Sequence, residues 1–311
     1  MIVSASRRTD IPACYAPWLA RRLQDGYALV RHPHDRRVLT RVPLTSDVVD
    51  GLVLWTKYAE PLLPYLGALD AFPYYVQYTV TPYGEALEPG LPDVWQTRIQ
   101  TLRQLAERIG ASRIVWRYDP IILTRTYTLE WHIAQFDRMA AQLAPHCRKC
   151  TFSFVDLYDS TLRNMAGTGI RAIQPNEMRR LAAAFAGIAA HYGMSLDTCC
   201  EAIDLAAYGI GHAACVDRSI FEEIGGYPLT ISAAKGQRSG CRCMQSTDIG
   251  AYGTCVNGCL YCYANADQAS ARRLHAQHDP ASPLLFGVPE EGDIIRPMKA
   301  ESYRDGQMRM F

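Results

Sequence analysis

Short β-rich runs alternate along the chain with longer segments of helical period, and this order constrains the fold more than any other feature. The pattern is typical of βα units around a parallel sheet. We therefore predict an α/β fold, specifically a TIM-like (β/α) barrel that is closed or partial. The predicted strands are Ile2–Ala5, Leu52–Trp55, Tyr74–Val80, Ile114–Trp116, Thr151–Val155 and Ser195–Thr198.

In two segments between these strands, the apolar residues have the spacing of amphipathic helices. Apolar residues recur every three or four positions over residues 95–109 and 178–188. Asp93 and Asn176 stand where N-caps are expected. Residues 203–247 lack such a period and contain Gly, Ser and Cys instead.

We predict three parts within one integrated domain. The βα units occupy residues 1–202, an irregular cysteine-containing insert occupies residues 203–247, and a C-terminal part occupies residues 248–311.

Eleven cysteines are many for a cytosolic chain with no special use for thiols, because disulfides are rare in that compartment. The opening MIVSASRRTD places apolar residues before basic ones, the reverse of a secretory signal. No segment has the ~20 uncharged apolar residues of a membrane span. We expect a cytoplasmic protein that contacts no membrane and uses metal or redox chemistry. The net charge of +1 gives no overall electrostatic case for nucleic acid.

Cys255, Cys259 and Cys262 have the spacing C-x3-C-x2-C, which is the strongest functional signal in the sequence. Three thiolates on one loop can bind three irons of a four-iron four-sulfur (4Fe-4S) cluster, and the loop holds no fourth cysteine. One iron then stays open for a ligand. In radical S-adenosylmethionine (SAM) enzymes that ligand is SAM, which is cleaved to a 5'-deoxyadenosyl radical. A structural zinc site is the alternative, although zinc usually takes paired C-x2-C units with a fourth ligand.

Three neighbouring residues are predicted to contact the cofactors. Gly258 lets the backbone turn close to the cluster, Tyr261 stands where radical SAM enzymes place a residue against the adenine, and Asn265 follows the last thiolate. In most radical SAM enzymes such a loop follows the first strand, whereas here it follows the last βα units. A circularly permuted barrel reconciles the two if the strand leading into Asp248 lies beside the N-terminal strand.

Charged side chains follow several predicted strands, at the edge where βα barrels build active sites. Each of them can instead cap a helix or pair with a neighbour. The candidates for binding SAM or substrate are Arg7, Arg8, Asp10, Lys57, Arg117, Asp119 and Glu201.

A second group of cysteines lies upstream of the loop. Cys241 and Cys243 form C-x-C, Cys199 ends a predicted strand, and Cys215 lies in the insert. We predict that these four hold an auxiliary iron-sulfur cluster or a zinc ion. The alternative is that they are unpaired buried cysteines, which behave as small apolar residues.

Several strings carry a family resemblance. Residues 1–12 (MIVSASRRTDIP), 55–57 (WTK), 116–120 (WRYDP) and 248–265 resemble the DUF1848 family of uncharacterised bacterial proteins, over nearly the whole chain. That resemblance implies a C-terminal cluster and an unassigned function. Residues 258–265 (GCLYCYAN) are also similar to the cluster loop of the spore photoproduct lyase group, radical SAM enzymes that repair a thymine lesion in DNA. The position of the loop differs from that group, so the substrate does not carry over.

The final residues, Gln307–Phe311, resemble the Gln-Leu-x-Leu-Phe peptide by which bacterial repair and replication proteins dock on the sliding clamp. An apolar tail can instead fold back onto its own domain. Together with the lyase-like loop, the tail favours DNA as the substrate.

We therefore expect a radical SAM enzyme that acts on DNA, for example as a repair lyase, with the clamp and an electron donor protein as partners. The alternatives are the same chemistry on a small molecule, peptide or tRNA, and a non-catalytic iron-sulfur or zinc protein.

Overall fold

In the computed structural model, which describes residues 1–33, 35–238, 240–265 and 267–305, eleven strands form two sheets. The strands are β1 (Ile2–Ala5), β2 (Tyr27–Arg31), β3 (Val38–Pro43), β4 (Gly51–Thr56), β5 (Tyr74–Thr79), β6 (Ile114–Ile121), β7 (Lys149–Phe154), β8 (Leu196–Thr198), β9 (Gly211–His212), β10 (Thr247–Asp248) and β11 (Ile294–Pro297).

The larger sheet has the order β10-β1-β4-β5-β6-β7-β8-β9, and every neighbouring pair is parallel. All six predicted strands are present, with ends shifted by a few residues; the largest change is β6, which continues to Ile121. The α/β class with a parallel sheet is confirmed. The sheet has β10 and β9 as its edges, and no pairing between these edges closes it within the described ranges.

Strand β10 lies directly beside the N-terminal strand. Val3 pairs with Thr247 and Ser4 with Asp248, both in parallel. The predicted neighbourhood of these two strands is therefore confirmed, and the loop that follows β10 starts next to the end of β1.

The smaller sheet was not predicted from the sequence. Strand β3 pairs antiparallel with β2 and parallel with β11. β2 and β3 follow each other closely in the chain, whereas β11 comes from the C-terminal part.

Eight α-helices lie in the described ranges, and those of the main apolar core cover one face of the larger sheet. The eight are α1 (Ile11–Cys14), α2 (Ala16–Asp25), α3 (Ile99–Ile109), α4 (Leu129–Leu143), α5 (Asp159–Asn164), α6 (Pro175–His191), α7 (Arg218–Gly225) and α8 (Gln268–His275). Helical segments of 3-10 or π type span Glu60–Leu69, Gly84–Ala86, Val94–Arg98, Ala111–Arg113, Ala144–His146 and Ala206–Tyr208. No helix in the described ranges combines the length and apolar character that crossing a lipid bilayer requires.

One of the two predicted N-caps is correct. The Asp93 carboxylate accepts a hydrogen bond from the Gln96 amide at 2.7 Å, at the start of the turn that leads into α3. Asn176 is not the cap of α6, because the helix begins one residue earlier. Gln174 is its N-cap and forms a reciprocal capping box with Glu177, and Pro175 occupies the first turn, where its missing N–H costs nothing.

The two faces of the sheet pack against different parts of the chain. Alternate residues such as Leu54, Val76 and Trp116 belong to the main apolar core with the helices. Their neighbours on the opposite face, such as Tyr75 and Val115, pack against residues 213–243 of the insert. The insert contains α7 and β9, and it covers the face of the sheet opposite the main-core helices.

Candidate functional site

The segment 254–262, here called the cluster loop, is docked by main-chain hydrogen bonds onto the segment that follows β5. The Leu260 amide donates to the Leu87 carbonyl at 3.0 Å, and the Gly90 amide donates to the Asn257 carbonyl at 3.0 Å. Because main-chain bonds hold it from both directions, the position of the cluster loop does not depend on its thiols.

Gly258 has the backbone conformation that the sequence predicted for it. Its φ of +74° lies in the left-handed region that favours glycine. A Cβ at this position would also lie 3.2 Å from the Gly90 nitrogen and 3.2 Å from Pro89 Cγ. Both the turn and the close approach therefore require glycine.

The three loop cysteines differ in exposure. Cys259 is buried, while Cys255 and Cys262 are half-buried. The thiol of Cys14, at the end of α1, interacts with that of Cys255, and this contact together with burial raises the pKa of Cys255 well above its usual value. Burial also raises the pKa of Cys259 and Cys262. The free thiols are therefore neutral at pH 7, and binding a metal would release protons.

A buried charge network supports the cluster loop from below. Glu88 accepts hydrogen bonds from Lys57 Nζ at 2.9 Å, from Arg98 Nη1 at 2.6 Å and from the Tyr261 hydroxyl. Burial alone would raise the pKa of Glu88, but Arg98 and Lys57 outweigh it and lower that pKa to about 2. Lys57 Nζ also lies 2.9 Å from the Tyr261 hydroxyl. Two cations and a phenol thus fix one carboxylate, and both Glu88 and Lys57 are close enough to Cys259 to affect the pKa of its thiol.

Tyr261 is placed by this network. Its ring is buried and meets Tyr83 edge to face, with the ring centres 5.9 Å apart. Its predicted contact with adenine stays a prediction, since the hydroxyl already points into the interior.

Asp10 joins the N-terminal strand region to the cluster loop. Its carboxylate accepts from the Lys57 amide at 2.7 Å and from Asn257 Nδ2 at 2.9 Å. Its other oxygen caps α1 through the Ala13 amide at 3.0 Å. Burial raises the pKa of Asp10. The helix-cap alternative for this residue is therefore correct, and the same carboxylate also positions the loop.

Arg7 and Arg8 lie beside Asp248, at the carboxyl end of β1 and β10. The Arg7 amide donates to Asp248 Oδ2 at 2.8 Å, and the Arg8 guanidinium lies 3.9 Å from Asp248 Oδ1. Arg8 also sits over the ring of Tyr252, 5.4 Å from its centre. Tyr252 and Tyr263 are 54% and 59% exposed. Two arginines and two open aromatic rings therefore meet at this edge.

Arg117 and Asp119 form a pair at the end of β6. The Arg117 guanidinium donates to Asp119 Oδ2 at 2.9 Å, and Ser153 donates to the other oxygen. Burial would raise the pKa of Asp119, but Arg117 lowers it overall. Glu201 accepts from the Phe154 amide at 2.8 Å, and burial raises its pKa to about 7.

One group of five cysteines lies at the face of the larger sheet that the insert covers, and we call them the insert thiols. They are Cys199, Cys200, Cys215, Cys241 and Cys243. Cys199 Sγ and Cys215 Sγ are 3.3 Å apart. Cys200 interacts with Cys199 and Cys241, and Cys243 interacts with Cys215 and Cys241. The structure therefore brings the four predicted cysteines together and adds Cys200.

Within the described ranges, no three thiol, imidazole or carboxylate groups already surround one point as the ligands of a single ion would. The donor chemistry at the cluster loop nevertheless fits an iron-sulfur cluster, because three thiols share one anchored loop. Asn265 Nδ2 donates to the Cys255 carbonyl at 2.6 Å. Asn265 Oδ1 and Thr9 Oγ1 are buried without a hydrogen-bond partner in the described part of the chain. A bound ligand with polar atoms would satisfy such groups.

The sequence did not single out four residues that shape the site. Glu88, Arg98, Asn257 and Cys14 carried no signal by type or spacing, because their roles arise from contacts between distant segments. The predicted clamp-binding tail, Gln307–Phe311, lies outside the described residues.

One comparison with known proteins gives a match. A family model described as a domain of unknown function, DUF1848, covers residues 2–264. Neither the curated proteins nor the solved structures contain a match to this chain.

Proposed function

Since the chain belongs to the DUF1848 family, whose model matches residues 2–264 and is described only as a domain of unknown function, we propose from the site itself that it is a radical SAM enzyme. The observation that carries the proposal is the C-x3-C-x2-C loop, which follows β10 at the carboxyl end of a parallel sheet. Cys255, Cys259 and Cys262 would hold a 4Fe-4S cluster. When bound and reduced, such a cluster with one open iron cleaves SAM to a 5'-deoxyadenosyl radical.

The place of β10 supports a permuted barrel. β10 is an edge strand in space although it is late in the chain, and β1 is its neighbour. Counted by position in the sheet, the cluster loop then follows the first strand, which is where most radical SAM enzymes carry it. The pairing of Ser4 with Asp248 is therefore the link between the unusual sequence position and the usual spatial one.

The chain's own residues prepare the site in three ways. Glu88, held by Lys57 and Arg98, accepts the hydrogen bond that fixes Tyr261 within the cluster loop. Asp10 fixes Asn257 within the loop. Asn265 Oδ1, which is buried and has no hydrogen-bond donor among the described residues, offers an acceptor for a polar hydrogen of the cofactor.

DNA is the proposed substrate. Arg7 and Arg8 lie at the same edge as the exposed rings of Tyr252 and Tyr263, and Tyr263 donates its hydroxyl hydrogen to the Arg7 carbonyl at 2.6 Å. Exposed aromatic rings that stack on bases, together with arginines that contact phosphates, are typical of surfaces that bind single-stranded nucleic acid. The similarity of residues 258–265 to the spore photoproduct lyase loop supports the same class. A small molecule, a peptide or tRNA is the alternative substrate.

The test is anaerobic reconstitution with iron and sulfide, followed by SAM and dithionite. We expect release of 5'-deoxyadenosine, an electron paramagnetic resonance spectrum that changes when SAM is added, and more product with ultraviolet-damaged DNA than without. Zinc in place of iron, or a spectrum that SAM leaves unchanged, would contradict the proposal. Salt-dependent binding to single-stranded DNA, lost in a Tyr252→Ala, Tyr263→Ala variant, would separate DNA from the alternative substrates.

A second candidate function follows from Cys14. Its thiol interacts with Cys255 and lies 3.7 Å from Asn257 Oδ1, so the loop has a fourth cysteine beside it in space. A centre bound by four thiolates would have no open iron, and the protein would then be an electron carrier or a structural metal protein. The response of the spectrum to SAM decides between the two.

The tail adds a partner to the first proposal. Deleting Gln307–Phe311 should weaken binding to purified sliding clamp and leave 5'-deoxyadenosine release unchanged. Equal clamp affinity with and without the tail would end this part of the proposal.

A further inference from the structure

We propose that the insert thiols form a second metal centre, in which Cys199, Cys215, Cys241 and Cys243 bind a thiophilic metal as zinc or as iron-sulfur. This goes beyond the proposed function, because the centre neither requires SAM nor shares a ligand with the cluster loop. It lies at the face of the larger sheet that the insert covers.

The sulfur spacing is close to that of a metal site. A tetrahedral zinc ion with zinc–sulfur bonds of about 2.3 Å sets its thiolates about 3.8 Å apart. Cys199 and Cys215 are 3.3 Å apart, well beyond the ~2.05 Å of a disulfide. The remaining members continue this contact through Cys241 and Cys243. Small side-chain rotations would turn these neighbouring thiols toward one centre.

A buried cation is already present beside the sulfurs. Arg117 Nη1 lies 3.0 Å from Cys215 Sγ, and the arginine is buried. Thiolates carry negative charge that one divalent ion does not fully balance when four of them bind it. A fixed guanidinium at hydrogen-bond distance stabilises that excess charge, since buried charges require partners.

Two side chains of β5 hold the main chain of one ligand, Cys215. The Tyr75 hydroxyl donates to the Cys215 carbonyl at 2.6 Å, and Gln77 Nε2 donates to the same oxygen at 2.9 Å. Both donors belong to β5, so Cys215 is anchored directly to the sheet. Cys241 and Cys243 lie on an irregular segment with little secondary structure.

A cross-link increases the stability of such an irregular segment more than that of a regular one. A metal bound by thiolates from the end of β8, from residue 215 and from residues 241–243 would join three separate parts of the chain. Structural metal sites stabilise irregular segments in this way. Core packing of free thiols is the competing explanation. Cys147 illustrates that case, because it is buried in the main apolar core and its thiol lies 3.9 Å from Met194 Sδ.

The experiment first removes the cluster loop as a source of metal. A Cys255→Ser, Cys259→Ser, Cys262→Ser variant is purified without oxygen, and its zinc, iron and sulfide contents are measured. We expect one metal centre per chain to remain. Adding Cys241→Ser and Cys243→Ser should lower that content at least tenfold, whereas adding Cys147→Ser should leave it unchanged.

Zinc without sulfide would identify a single ion, and iron with sulfide would identify a cluster; both support the proposal. If the loop variant contains neither zinc nor iron, the proposal is overturned. If the five-serine variant does not fold, X-ray absorption on the loop variant gives the answer: metal–sulfur distances of about 2.3 Å support the centre, and oxygen or nitrogen ligands alone overturn it. Because the loop variant lacks the first site, a failure of SAM cleavage in the unchanged protein does not affect this result.

Discussion

The cluster loop carries its three cysteines within residues 255–262, whereas the insert thiols come from three chain segments between Cys199 and Cys243. Within the described ranges, no sulfur–sulfur hydrogen bond joins the loop cysteines to one another, but Cys199 and Cys215 are in direct contact at 3.3 Å. Thiols that are set apart suit a cluster in which each iron takes one thiolate, and thiols in contact suit a smaller centre.

The surroundings of the two groups differ as well. The loop is held by its own main chain and by a carboxylate network around Glu88. The insert thiols have one buried guanidinium, Arg117, beside Cys215, and main-chain bonds such as that from the Ala234 amide to the Cys243 carbonyl hold their segments. A loop that carries all its thiols on one segment can leave an iron open for an exchangeable ligand, whereas thiols from three segments suit a permanent structural centre that joins those segments.

Removing the loop thiols should have the largest effect. In the Cys255→Ser, Cys259→Ser, Cys262→Ser variant, 5'-deoxyadenosine release should fall by at least about a hundredfold, because no open iron remains to bind SAM. The fold should persist, since main-chain bonds dock the loop. Product formation by reconstituted protein is the measurement, with Cys147→Ser as control. Undiminished product in the triple variant would show that the loop is not the cofactor site.

Replacing Glu88 should disturb the support of the loop. Glu88→Gln removes the carboxylate with which both Lys57 and Arg98 form ion pairs, and removing one member of a buried ion pair costs about 3–5 kcal/mol. Urea unfolding at pH 7 measures the loss, and the exposed Glu85→Gln is the matched control.

The pH dependence of this effect has a definite sign. The pKa of Glu88 is about 2 in the folded protein, below its value of about 4.3 in an unfolded chain. Its stabilising contribution is therefore complete above the unfolded value and declines as the pH falls toward 2. The Glu88→Gln variant should lack this decline. A loss of less than about 1 kcal/mol at pH 7 would show that the network does not support the loop.

The difference between the two cysteine groups also explains what the sequence could predict. The loop thiols are local, so their spacing alone indicated a site, and the glycine at 258 agreed with its backbone conformation. The six central strands were equally accessible, because β-rich runs bounded by helices are a local pattern. The pairing of β10 with β1 followed from combining the motif's position with the closeness of chain ends.

Nonlocal features were missed for a physical reason. The smaller sheet joins β2 and β3 to β11, which lies far along the chain, and none of these strands is marked by a strong alternation of its own. Glu88 resembles any surface glutamate until Lys57 and Arg98 are folded against it. Cys200 was not among the four predicted ligands, yet it interacts with both Cys199 and Cys241.

Tyr75→Phe should weaken the insert region and spare the loop. The change removes one donor to the Cys215 carbonyl and the acceptor of the Asp217 amide at 2.9 Å. Gln77 still donates to the Cys215 carbonyl. We therefore expect the free energy of unfolding to fall by about 1–3 kcal/mol, mainly because the Asp217 amide loses its acceptor. Unfolding midpoints and the metal content of both centres are measured. Tyr74→Phe, on the opposite face of the same strand, is the control. A drop in loop-bound iron would contradict the independence of the two groups.

Cys14→Ala should have the smallest effect, and it tests whether the cluster loop has three thiolate ligands or four. If the loop leaves one iron for SAM, Cys14 is only a neighbour of Cys255, and removing a small half-buried thiol should change iron content and 5'-deoxyadenosine release by no more than about twofold. If Cys14 is instead the fourth ligand, the variant should lose iron or begin to respond to SAM where the unchanged protein does not. Iron content and the spectrum with and without SAM, recorded for both proteins, distinguish these outcomes. Only the first keeps the cluster loop a site for an exchangeable cofactor, because a centre closed by Cys14 would be as fully bound as the one proposed for the insert thiols.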